Sequence, residues 1–76
     1  MACEEAKARE ERARKPLLEA ERELLSTNTP LLGKATALTE TEIRAIDDVA
    51  SRYADAYREW IEAAKAWLAA KAIHRN

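Results

Sequence analysis

Glycine occurs once in these 76 residues, cysteine once, histidine once, proline twice and phenylalanine never. Each shortage excludes something. Cys3 alone forms no internal disulfide, and one unpaired cysteine fits a reducing compartment, since secreted chains this small usually carry even sets. His74 has no ligand pair nearby, so no structural metal is expected. Gly33 stands alone, which leaves no glycine-rich phosphate loop. No apolar stretch approaches the ~20 residues that span a bilayer, and Met1-Ala2-Cys3-Glu4-Glu5 has neither the basic nor the apolar region of a secretory leader. The expected location is the cytoplasm.

An excess of charge of one sign is missing as well. The net charge is −1 with 36% charged residues, so acids and bases nearly cancel. That removes the basic footprint of a nucleic-acid binder. What fills the chain instead is alanine, arginine, glutamate and leucine, which form helices and rarely strands.

Residues 3–15 (CEEAKAREERARK) are nearly all strong helix formers. Glu5–Arg9, Glu10–Arg14 and Glu11–Lys15 are acid-before-base pairs four apart, each contributing about 0.2–0.5 kcal/mol. Ala6 and Ala13 stand at heptad spacing with Cys3 beside them. Pro16 then interrupts, because inside a helix it lacks an N–H and clashes with the carbonyl four residues back. A kink there, or a frayed arm before it, is expected. From Pro16 the run PLLEAERELL sets Leu17, Leu18, Leu24 and Leu25 on one side, the mark of a core-facing helix. Ser26 to Thr29, Pro30 and Gly33 read as turn residues, with Leu31 and Leu32 plugging the bundle end.

The best-specified start belongs to the long C-terminal helix. Thr39 and Glu42 make a T-x-x-E capping box, flanked by Leu38 and Ile43 placed as a hydrophobic staple. Lys71, His74 and Arg75 complement the dipole at its far end. Along it, Ile43, Ala50, Tyr57 and Ala64 occupy one core position of a heptad, and Ile46, Tyr53, Trp60 and Trp67 the other. The flanks are apolar too, with Val49, Ala56, Ala63 and Ala70 on one side and Ala54, Ile61 and Leu68 on the other. Such width suits a bundle better than a two-stranded coiled coil. Folding the chain at 26–38 brings Leu24 and Leu25 to Ile43 and Ile46. Only Ala13, Ala6 and Cys3 are then left to cover Trp60, Ile61, Trp67 and Leu68.

Chemistry-bearing patterns are scarce. Lys71 stands three residues before His74, which fails the Glu-x-x-His of a dimetal bundle. Glu59 and Glu62 form an E-x-x-E step, but acids and bases alternate along that face and a solvated surface accounts for it. Cys3 lacks a histidine partner and reads as a spectator thiol. An interfacial membrane helix would need a polar face dominated by bases, which this one lacks.

The sequence therefore predicts an all-α antiparallel helical hairpin: a charged arm at 1–15, a helix over about 16–26, a loop over about 27–38 and a long helix over about 39–75. Two hairpins are expected to pair as a homodimeric four-helix bundle. The expected interface is Tyr53, Tyr57, Trp60, Ile61, Ala64, Trp67 and Leu68, since tryptophan and tyrosine are common interface anchors. By analogy of size and fold, the expected role is a small protein-binding regulator or inhibitor, of a kind that phages also encode. The alternative is an assembly component of a larger helical oligomer. No catalysis, cofactor or metal is expected, and neither nucleic acid nor membrane is expected as a partner.

Overall fold

Two antiparallel helices make up the computed structural model, which describes residues 2–34 and 37–75. Helix α1 runs Ala2–Leu32 and α2 runs Glu40–Arg75. They pack side by side as a hairpin with Cα extents of 57 × 16 × 13 Å. The side chains of His74 and Arg75, expected to face the α2 dipole, lie outside the described set.

The arm, the short helix and half of the expected loop are one helix. A seven-residue repeat explains why. Cys3, Glu10, Leu17, Leu24 and Leu31 form one row, and Ala6, Ala13, Ala20 and Thr27 form the next. All are buried or half-buried, so α1 keeps a single face on α2 over more than eight turns. Pro16 and Pro30 both sit inside the helix. Pro16 falls on an exposed position, where water can reach the carbonyl of Arg12 that loses its helical donor. The contacts of Ala13, Leu17 and Ala20 with α2 then outweigh the local penalty. Ser26 donates its hydroxyl to the carbonyl of Glu23 at 3.2 Å and so stays helical, as serines in helices often do.

The connection shrinks accordingly. Lys34 N–H donates to the Leu31 carbonyl at 2.9 Å, and Ala37 N–H to that of Lys34 at 2.7 Å. At the start of α2 the capping box is present as read from the sequence. Thr39 N–H donates to Glu42 Oε1 at 3.0 Å and Glu42 N–H donates to Thr39 Oγ1 at 3.1 Å. Lys34 Nζ adds a bond to Glu42 Oε2 at 2.9 Å. The backbone bond from Thr39, followed by Lys34, holds the Glu42 carboxyl down at about 2.

Two side-chain contacts run from α1 to α2 along the body of the hairpin: Glu23 pairs with Arg52, and the Trp60 indole N–H donates to Glu10. With α1 continuous from Ala2, the two helices overlap along nearly their whole length. The tryptophans, expected to outrun their cover, both lie against α1 and are half-buried.

Burial is nonetheless thin. Among the described residues only Leu17, Val49, Ala63 and Glu10 are buried, and no large side chain is fully so. The accessible surface is 5855 Å², against about 4,700 Å² for a compact monomer of this mass.

Replacing Pro16 by alanine restores one helical N–H in an otherwise regular helix. It is expected to raise the unfolding free energy by roughly 1–3 kcal/mol, read from urea titration at fixed protein concentration. A loss of stability would mean that α1 depends on a bend at Pro16.

Candidate protein-interaction surface

Helix α2 carries two adjacent apolar seams, and α1 occupies one. The occupied seam consists of Ile46, Tyr53, Trp60 and Trp67 in one row and Val49, Ala56, Ala63 and Ala70 in the other. It lies one position round the helix from the seam expected from the sequence, which paired the first row with Ile43, Ala50, Tyr57 and Ala64. With both seams apolar, periodicity alone does not say which one faces α1.

One polar contact helps to fix the choice. Glu10 sits in the heptad row of α1 and is only 4% exposed. Its Oε2 accepts the indole N–H of Trp60 at 2.7 Å and Nε of Arg14 at 2.9 Å, while Oε1 accepts Nη2 of Arg14 at 2.5 Å. The Arg14 guanidinium, then the Trp60 indole, hold the carboxyl below its ordinary value near 4.5. A carboxylate in a seam is tolerated when its oxygens are satisfied in this way. Sliding the helices past each other by a turn would strand it.

The other seam of α2 is open. Ile43, Ala50, Tyr57 and Ala64 form one row, Ala54, Ile61 and Leu68 the next, and Ile43, Tyr57 and Leu68 are 53%, 42% and 61% exposed. On α1 a row of Leu18, Leu25 and Leu32 is exposed to a similar degree. The Glu23–Arg52 pair locates the two flanks of the hairpin. In antiparallel packing, the heptad flank occupied by Glu23 on α1 meets the flank occupied by Arg52 on α2. The three leucines and the open seam of α2 belong to the opposite flank, so they share one side of the molecule. Between them runs a polar row of α1 formed by Lys7, Arg14, Glu21 and Asn28. The Glu23–Arg52 side, by contrast, is charged, with Glu5, Arg12, Glu19, Asp48, Asp55 and Glu62 along its edges.

Of the expected interface residues, Tyr57, Ile61, Ala64 and Leu68 lie on the open side, whereas Tyr53, Trp60 and Trp67 belong to the occupied seam. Aromatic contacts join the two groups. The Tyr57 ring lies 5.8 Å from Tyr53 and 6.2 Å from Trp60, the latter edge-on. Lys71 Nζ lies 4.7 Å from the Trp67 ring centroid, within cation–π range. Tyr53, Ala54, Tyr57, Arg58 and Ile61 line a shallow groove on this side. The leucine row was missed because Leu18 and Leu25 were assigned to the core and Leu32 to a loop. Their spacing of seven was the available signal.

Among the described residues no group of three or more histidine, cysteine, aspartate or glutamate side chains converges as a metal site. Among the described residues, too, no helix is long and apolar enough to cross a membrane. No family model, curated protein or solved structure matches the chain.

Both depressed carboxyls, Glu10 and Glu42, contribute stability that is present above the unfolded glutamate value and is lost as pH falls through their folded values. Acid titration of the native chain is therefore expected to show stability declining from about pH 4.5 towards pH 2. The paired Glu10→Gln, Glu42→Gln variant should decline less over that window. Parallel profiles for the two proteins, followed by tryptophan fluorescence, would refute this account.

Proposed function

We propose that this chain works by protein–protein contact, pairing with a second copy through its open side to form a homodimeric helical-hairpin module that regulates or inhibits another protein. The observation that carries the reading is the contiguity of apolar rows on one side of a hairpin whose opposite side is charged. Isolated apolar residues on a surface need no explanation, but a continuous strip of them marks an interface.

Magnitudes support a second helical layer. Each chain exposes about 1,150 Å² more than a compact monomer of its mass. Two chains together carry roughly 2,300 Å² of such excess, above the ~1,600 Å² of a standard interface. Covering the half-exposed Leu18, Leu25, Leu32, Ile43, Tyr57 and Leu68 contributes about 1 kcal/mol apiece. Summed over two chains this reaches ~12 kcal/mol, comparable with the ~4–15 kcal/mol that association costs. The tight limit of that balance, about −8 kcal/mol, corresponds to self-association in the micromolar range. Alanines at 50, 54 and 64 keep the α2 backbone open to close approach by another helix.

Light scattering is expected to give twice the chain mass for the native protein. Leu25→Glu and Ile61→Glu should each give a single chain mass with helical circular dichroism largely retained, while Asp55→Ala on the charged side leaves the dimer intact. A native chain that stays monomeric at tens of micromolar would refute the homodimer.

A further inference from the structure

We infer that the last two turns of α1, residues 26–32, form an opening segment that unwinds as a unit while the rest of the hairpin stays paired. The two helix ends that meet at the connection are unequally secured. On the α2 side, Thr39 and Glu42 satisfy backbone N–H groups reciprocally, and Glu40 and Glu42 in the first turn suit the positive end of the dipole. Lys34 Nζ ties the connection to the same cap, donating to Glu42 Oε2 at 2.9 Å.

The α1 side is weak for several independent reasons. Ser26, Thr27, Asn28 and Thr29 are consecutive poor helix formers. Pro30 has no N–H, so the carbonyl of Ser26 loses its helical donor. The last turn holds no basic residue to meet the negative end of the dipole. Among the described residues, the Asn28 amide oxygen is enclosed without a hydrogen-bond partner, an uncompensated desolvation that unwinding relieves. Contact with α2 offsets such penalties at one proline and not at the other. Pro16 is followed by Leu17, 8% exposed, with Ala13 and Ala20 half-buried to either side. Around Pro30 only Thr27, Asn28 and Leu31 are half-buried, whereas Ser26, Thr29, Pro30 and Leu32 are exposed. Opening the segment therefore gives up little apolar burial, which is what lowers local stability.

The next ties inward set where the opening stops. Glu23 pairs with Arg52, and Leu24 returns to the half-buried row of α1. The Ser26 hydroxyl, donating to the Glu23 carbonyl at 3.2 Å, marks the point where side-chain bonding begins to compete with the helix. Unwinding to that point lengthens the connection from residues 33–39 to residues 26–39, while the cap of α2 lies beyond the segment and is kept. What becomes uncovered is the turn end of the occupied seam, where Thr27 and Leu31 are the inward-facing side chains of α1. The device is separate from the open side and does not depend on what occupies it.

Amide hydrogen exchange of the full chain, read residue by residue by nuclear magnetic resonance, tests this. After correction for intrinsic rates, the amides of residues 27–29, 31 and 32 are expected to share one opening equilibrium. They should exchange roughly tenfold or more faster than those of residues 17–24 on α1 and 44–49 on α2. Because the opening exposes little surface, their exchange should barely respond to low urea, whereas that of residues 17–24 should accelerate. Protection that falls steadily towards Leu32 is ordinary fraying and overturns the unit. Protection of residues 26–32 equal to that of 17–24 overturns the opening itself, and equal loss at 44–49 shows that both helix ends open together, against the proposal. As a second arm, the Asn28→Ala, Pro30→Ala variant removes the orphan oxygen and restores a helical donor. Exchange within residues 27–32 is expected to slow roughly tenfold or more in that variant. An unchanged rate there overturns the account.

Discussion

Two helices in contact share one seam, and α2 carries apolar side chains for two. Much of the structure's character descends from that mismatch. The seam shared with α1 takes Val49, Ala56 and Ala63 together with the aromatic row, and leaves Ile43, Tyr57 and Leu68 against water. A hairpin this narrow has no interior beyond the seam itself. Its radius of gyration is 17.0 Å, against about 11 Å for a compact domain of this length. The alanine-rich rows of α2 leave room beside the seam for the approach of another helix.

Within the seam, one hydrogen-bonded cluster supplies what apolar packing does not. Rows of alanine and leucine fit one another in several registers, because moving a helix by a turn exchanges like for like. Glu10, Trp60 and Arg14 break that degeneracy. The carboxylate needs the indole N–H and the guanidinium at one height, and a shift strands a charge in the seam. Its contribution is to specificity at least as much as to stability, as with single polar residues in coiled-coil cores.

The all-helical hairpin and the capping box at Thr39 and Glu42 were legible in the sequence, since both follow from local chemistry. The extent of α1 was legible too, in the repeat from Cys3 to Leu31, but Pro16 and the polar run from Ser26 to Thr29 argued locally for breaks. Tertiary contact with α2 overrode them, as packing routinely overrides propensity. The seam facing α1 was not legible, because two neighbouring seams on α2 are equally apolar and only the partner helix chooses between them. The same ambiguity hid half of the open side. Three leucines spaced by seven look like core until the register shows that a neighbouring row already fills that place.

Among the described residues no large side chain is fully buried, which bears on how long the chain survives. Under the pairing proposed above, the folded fraction is governed by mass action and stability rises with the chain's own concentration. Scarce copies would then spend more time open and accessible to proteases, while abundant copies would protect one another. Turnover would act as a threshold, with low production leaving little behind and higher production accumulating.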